Sequence, residues 1–231
     1  MSADDYKKMA ARAAVELVRP EMTLGLGTGS TAAHFIAALG EKVRSGLYVR
    51  AVPTSKDTAA KASAAGIELI EPDETTVIDL AVDGTDEVDG RKTLIKGGGG
   101  ALLREKIVAN AARKFVVIAD ASKKVAQLGA FPLPVEIDRF SYALTVQAVR
   151  KALAALGHAT ADVRLRAGPD HPTFVSDGGN FILDCRLLRI DDAAALDRAL
   201  KAIPGVIETG LFIGIADEVI LAGPEGVTRI I

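Results

Sequence analysis

The chain has 231 residues, 49% of them hydrophobic, with 4% aromatic and no Trp; a core of that size needs neither disulfides nor a structural metal, and the aliphatic bias suits buried strands of an α/β protein. A formal net charge of −2, spread without any basic tract, excludes nucleic acid as an expected partner, and the single cysteine, Cys185, excludes an intrachain disulfide and fits a reducing compartment. No run of about 18 apolar residues is present, and MSADDYKKMA lacks the apolar core of a signal peptide, so no membrane association and a cytoplasmic location are expected.

DDYKKMAARAAVELV, residues 4–18, repeats apolar positions at helical spacing, and Pro20 ends it. TLGLG at 23–27 reads as a short buried strand, followed by a helix from about Ser30 to Arg44. LYVRAVP (47–53) is strand-like, and SKDTAAKASAAG (55–66) is a helix stopped by Gly66. IELIEP, VIDLAVDG, TLIKG and KFVVIAD read as further strands, with a helix over 101–114 between the last two. This alternation predicts right-handed crossovers and a mainly parallel, Rossmann-like sheet flanked by helices.

The pattern changes after Phe131. FPLPVEIDRF leads into a helix over 141–157, then come ADVRLRAG, TFVSDGGNFILDCRLL with a DGG hairpin turn, and a helix from Asp191 to Ile203. These predict a second, smaller antiparallel α+β domain over 132–206, with 1–131 and 207–231 forming the larger, catalytic domain. VIETGLF, DEVILAG and GVTRII are read as strands returning to that larger domain.

Ligands of open parallel sheets bind beyond the carboxyl ends of the strands. Three unusual segments are expected at such ends. Gly25-Leu26-Gly27-Thr28-Gly29-Ser30-Thr31-Ala32 combines glycines, hydroxyls and a helix start, which suits a phosphate; a glycine-rich turn with Ser30 capping the helix is the other reading. Gly27 to Ala32 also matches the G-x-G-x-x-A dinucleotide pattern, but no acid for a ribose closes the following strand. Asp83-Gly84-Thr85-Asp86-Glu87 places three carboxylates within five residues, fit for sugar hydroxyls, acid–base chemistry or a metal, or for a solvated turn. A metal is the weakest of these, since His34, His158 and His171 lie apart from the acids.

The third segment is IKGGGGALLREKI. After Lys96 four glycines let backbone N–H groups approach a ligand, at an entropic cost of about 1 kcal/mol per residue relative to Ala. On a helical wheel Glu105 falls among Ala101, Ala109 and Ala112, away from the polar sector of Lys106, Asn110 and Arg113. A carboxylate there is a candidate general base; an ordinary surface glutamate is the other reading. Together the segments suit proton abstraction beside the carbonyl of a phosphorylated sugar, with fixed donors or a cation stabilising the enediolate.

GLGTGSTA, DGTDE, KGGGGALLREKI, IADASK and FPLPVE, in this order, resemble the A type of ribose-5-phosphate isomerase, a likeness that continues through IPGV and GLF. The resemblance implies interconversion of ribose 5-phosphate and ribulose 5-phosphate in the non-oxidative pentose phosphate pathway, without a cofactor and commonly as a homodimer. It makes Glu105 the proton acceptor; beside it, Asp83 and Asp86 are expected to grip hydroxyls and help open the furanose ring, and Lys96 to offset the enediolate charge, as the other catalytic groups. It assigns substrate binding to Thr28, Gly29, Ser30 and Thr31, to Asp83, Gly84, Thr85 and Asp86, and to Lys96, Gly97, Gly98 and Gly99. Lys7 and Lys123 match further substrate-contacting lysines, Lys7 placed to meet the phosphate.

Two positions depart from the family pattern: Thr85 and Gly100 stand where alanine is usual. Two other functions compete. A nicotinamide-dependent oxidoreductase lacks its ribose acid, and a non-catalytic sugar-phosphate sensor lacks room for a DNA-binding module before the first strand.

Overall fold

The computed structural model of the chain describes residues 1–168 and 172–231; His171 lies outside them. In chain order the elements are α1 (Ala3–Val15), β1 (Thr23–Leu26), α2 (Ser30–Arg44), β2 (Arg50–Pro53), α3 (Lys56–Ala64), β3 (Glu68–Leu69) and β4 (Leu80–Asp83). Then follow β5 (Glu87–Val88), β6 (Leu94–Ile95), α4 (Leu102–Ala111), β7 (Phe115–Asp120), a 3₁₀ turn (Ala121–Lys123), β8 (Leu133–Ile137) and α5 (Tyr142–Ala155). The last are β9 (Asp162–Leu165), β10 (Phe181–Arg186), α6 (Ala193–Lys201), β11 (Val206–Thr209), β12 (Leu211–Phe212), β13 (Glu218–Gly223) and β14 (Gly226–Ile230).

The chain forms two compact units. One comprises Met1–Thr85, Arg104–Lys124 and Gly214–Ile231; the other comprises Asp86–Leu103 and Val125–Ile213. The sequence-based division at 131/132 and 206/207 differs chiefly in keeping 86–103 with the larger unit.

The first unit is a seven-stranded sheet ordered β14-β13-β7-β4-β1-β2-β3, parallel except for the β13–β14 hairpin at its edge. Alternate residues of its strands, including Leu24, Leu26, Val82, Val116, Ile118 and Ile220, bury one face against Ala10 and Ala14 of α1 and Phe35 and Leu39 of α2. The opposite face carries small residues where α4 approaches: a Cβ on Gly25 would lie 2.4 Å from Val108 Cγ1 and 2.9 Å from Ala81 Cβ. Glycine at 25 is therefore what lets the helix sit on the sheet.

The second unit holds a four-stranded antiparallel sheet, β11-β8-β10-β9, and a three-stranded one, β12-β6-β5. Leu133, Val135, Ile137, Leu183 and Cys185 pack there with Val149 and Leu153 of α5 and Leu196 and Leu200 of α6. An α/β fold with a mainly parallel sheet and a separate antiparallel α+β unit is thus the observed architecture.

Three local expectations are corrected. TLIKG does not join the parallel sheet: only Leu94–Ile95 is strand, held antiparallel between β5 and β12. VIET pairs with β8 of the small unit and so does not return to the large sheet. In TFVSDGGNFILDCRLL only Phe181–Arg186 is strand. The buried Glu136 takes the Ser176 hydroxyl (2.7 Å) and the Asn180 amide (3.0 Å), and such side-chain bonds favour a local turn over a paired ladder.

Candidate active site

The strand order reverses at β1. The chain leaves β1 for β2 and β3 on one side and returns to β4 on the other, so the β1–β4 carboxyl ends are the topological switch point of the first unit. The two expected loops meet there. Asp83, buried at the end of β4, accepts from Thr28 N (3.1 Å) and Gly84 N (2.7 Å) through Oδ1. A Cβ on Gly27 would fall 2.0 Å from that carboxyl group, so only glycine leaves the carboxylate its place over the loop. A Cβ on Gly84 would lie 3.6 Å from Thr31 Cβ, which sets Gly84 beside Thr31.

The start of α2 has an anion-binding character. Its N-cap is Gly29 at φ +109°, no side chain caps it, and its first turn carries no acid. The reading in which Ser30 caps the helix is corrected: Ser30 is the first helical residue, and its Oγ accepts instead from Lys7 Nζ on α1 at 3.0 Å. An ammonium group beside the positive end of a helix dipole is electrostatically unfavourable until an anion joins them.

Thr28 is also tied to the neighbouring strand end. Its hydroxyl joins those of Thr54 (2.7 Å), Ser55 (2.9 Å) and Thr58 (3.2 Å), and Thr58 Oγ1 donates to Gly27 O (2.8 Å). This cluster, which sequence reasoning missed, fastens the loop to the end of β2. The Ser55-x-x-Thr58 cap spacing at the start of α3 is the signal that could have found it.

Glu105 sits in the first turn of α4 and is 3% exposed, while Ile107 two residues on is 59% exposed. It lies three residues before Val108, on the helix face that packs over Gly25. A helix leading into a parallel strand runs against that strand, so Glu105 is offset from Val108 toward the carboxyl end of β1. Lys123 closes the 3₁₀ turn after β7, the strand next to β4, where Asp120 Oδ1 accepts from Ser122 N (3.1 Å).

In the second unit, Lys96 is buried, with Nζ 5.4 Å from the Phe212 ring centroid and its backbone N donating to Gly210 O (2.8 Å). Gly98 N donates to Asp86 Oδ2 (2.8 Å), joining the acidic loop to the glycine loop. Gly97 and Gly100 have φ of +101° and +82°, and Gly100 N closes the turn on Gly97 O (2.9 Å). Glu87 is not a member of the acidic site: it is buried and accepts from Gly129 N (2.7 Å) and Phe131 N (2.6 Å), pinning that loop. Also missed was Arg166, which donates through Nη1 to Gly97 O (2.7 Å) and Gly98 O (3.2 Å) and pairs with Asp184. No local pattern in ADVRLRAG marks it.

Among the described residues no group of three or more His, Cys, Asp or Glu side chains is arranged to hold a metal ion, and no helix is long and apolar enough to cross a membrane.

Residues 50–226 match the family model of ribose 5-phosphate isomerase A, also called phosphoriboisomerase A. The chain belongs to that family. Ribose-5-phosphate isomerase A of Rhodopseudomonas palustris strain BisB18 is 55% identical over 227 residues, covering 98% of this chain and 97% of the relative. That of Maricaulis maris strain MCS10 is 52% identical over 231 residues, covering 100% and 99%. The solved ribose 5-phosphate isomerase A of Methanocaldococcus jannaschii superposes with a TM-score of 0.90 at 40% identity, covering 99% of each chain. A D-ribose-5-phosphate isomerase in complex with phospho-erythronic acid does so with 0.92 at 39% identity, covering 100% of this chain and 99% of that one.

One departure from the family pattern acquires a physical reason. Where the family commonly has alanine, Gly100 lies under Phe174, whose ring would be 2.4 Å from a Cβ there. The structure explains nothing about Thr85.

Proposed function

We propose that this chain interconverts D-ribose 5-phosphate and D-ribulose 5-phosphate by proton transfer through an enediolate, as its family membership indicates. Lys7, Ser30, Thr31 and the start of α2 hold the phosphate, with Gly29 giving the backbone close approach and Lys123 a further contact. Asp83 and Asp86, with Gly84 and Thr85 between them, accept hydroxyls of the sugar and help open its ring. Glu105 removes the proton from C2 of the open aldose, leaving the charge on the C1 oxygen. Lys96 and the Gly97–Gly99 loop offset that charge. A proton passes from the C2 hydroxyl to the C1 oxygen, and Glu105 returns its proton to C1, which gives the ketose.

The observation that carries this reading is the inversion on α4, where a carboxylate is buried at 3% and an isoleucine two residues later is left 59% exposed. A helix built for stability alone would place them the other way, because burying an ionisable group costs energy that burying isoleucine returns. The test is to give the purified, chelator-treated protein ribose 5-phosphate and follow ketose formation optically. Steady conversion is expected, and no conversion under any condition that leaves the protein folded contradicts the proposal.

We further propose a cytoplasmic homodimer. In the small unit Phe140 (85% exposed) and Leu144 (66%) border a cavity of about 540 Å³ that Ile203, Pro204 and Ile207 also line. An apolar surface of that kind marks an association site, and sedimentation of wild type against Phe140→Asp is expected to show a dimer becoming a monomer.

A further inference from the structure

The glycine loop is held from behind by a residue far away in sequence. Arg166, 13% exposed at its side chain, grips Asp184 with Nε (3.0 Å) and Nη2 (2.5 Å), a bidentate pair that orients the guanidinium plane. The third nitrogen, Nη1, then faces two consecutive carbonyls, those of Gly97 (2.7 Å) and Gly98 (3.2 Å). Phe174 completes the arrangement, 5.9 Å from the guanidinium and packed against Gly100.

In an extended chain successive carbonyls point to opposite sides. Here both point to one cation. Each trans peptide directs its N–H away from its own carbonyl, so the N–H groups of Gly98 and Gly99 both lie on the side remote from Arg166. Gly98 N–H shows where that side leads, because it donates to Asp86 Oδ2 at 2.8 Å. Gly99 N–H is presented beside it. Consecutive N–H groups turned the same way form a small anion-binding concavity.

We propose that Arg166 is a positioning residue for the isomerisation: it fixes two peptide planes so that Gly98 N–H orients the Asp86 carboxylate and Gly99 N–H donates to a substrate oxygen next to it. The inference rests on the isomerase reading given above. Lysine cannot replace arginine, since one ammonium group cannot both form the planar fork with Asp184 and bridge the two carbonyls.

The test uses the full chain. In wild type, adding ribose 5-phosphate is expected to shift the Gly99 amide resonance, while the Gly98 amide proton sits downfield through its carboxylate bond. In Arg166→Lys the Gly98 proton moves upfield, and kcat/KM falls by about 10²-fold, the usual cost of losing about 1 Å of alignment. The loss falls mainly on kcat, because phosphate is held elsewhere. Added guanidinium partly restores turnover to Arg166→Ala. If Gly99 fails to respond to the sugar phosphate in wild type, or if Arg166→Lys loses thermal stability with Gly98, Gly99 and kcat unmoved, Arg166 is only a structural residue and the inference is overturned. A wild type that never isomerises ribose 5-phosphate overturns the isomerase reading instead, and the Gly98 resonance in Arg166→Lys still decides whether Arg166 sets the loop.

Discussion

The loops at the switch point and the glycine loop do comparable work but are built in opposite ways. At the switch point the parts brace one another at close range: Asp83 takes the backbone of Thr28 and Gly84, Gly27 makes room for its carboxyl group, and Thr28 is tied to Thr54, Ser55 and Thr58. The glycine loop has no side chains of its own to do this, so Arg166, Asp184 and Phe174 do it from more than 60 residues away. Parallel-strand ends carry their geometry with the sheet, whereas a run of glycines has whatever shape its surroundings impose.

The largest expected effect falls on the side chain that the switch-point region delivers. Glu105→Gln keeps the shape of the side chain and removes the base, so turnover should drop about 10²–10⁴-fold with KM little changed, measured by steady-state kinetics. Next comes Gly27→Ala. A methyl group 2.0 Å from the Asp83 carboxyl has no room, so the carboxylate must move; activity should be lost along with about 1–3 kcal/mol of stability in urea denaturation. Only local crowding is needed for that result, which is what a self-braced site predicts.

Gly100→Ala probes the other design. A positive φ and a ring at 2.4 Å both oppose the new methyl, so a loss of about 1–3 kcal/mol is expected, and Phe174→Leu should relieve part of it in a double-mutant cycle. Additivity of the two changes would break the comparison, since the loop would then not depend on its distant neighbour. The smallest effect concerns β10, which carries Asp184. Burial, followed by the adjacent Asp184 charge, pushes the Cys185 thiol up to about 12. It should ignore thiol reagents in the native protein. Because its folded pKa is raised above the ordinary 9.0, its contribution to stability is full below pH 9 and fades as pH climbs toward 12; Cys185→Ala should flatten that part of the pH–stability curve.

The same contrast explains what could be read from residues alone. Strand–helix alternation exposes the parallel sheet because each element carries its own period, and the acid and glycine clusters around residues 25–32, 83–87 and 96–105 are contiguous in sequence. Glu105 is readable for that reason: a helical wheel sets it among alanines. The grouping of 86–103 with the small unit is not readable, because β5 and β6 are two residues each and take their identity from pairing with β12. Arg166 is hidden for a related cause, as nothing near it in the chain hints at Gly97. Glu87 misleads in the reverse direction: it shares a cluster with Asp83 and Asp86, yet its carboxylate is consumed by the backbone of Gly129 and Phe131.

The proton itself gives the most direct test. Isomerisation of ribose 5-phosphate in D₂O should place solvent deuterium at C1 of the ketose, because the carboxyl group of Glu105 exchanges with water while it holds the proton, and the label should vanish with activity in Glu105→Gln. Complete retention of the original C2 hydrogen at C1, or undiminished labelling in the Gln variant, would contradict the assignment of Glu105 as the group that carries it.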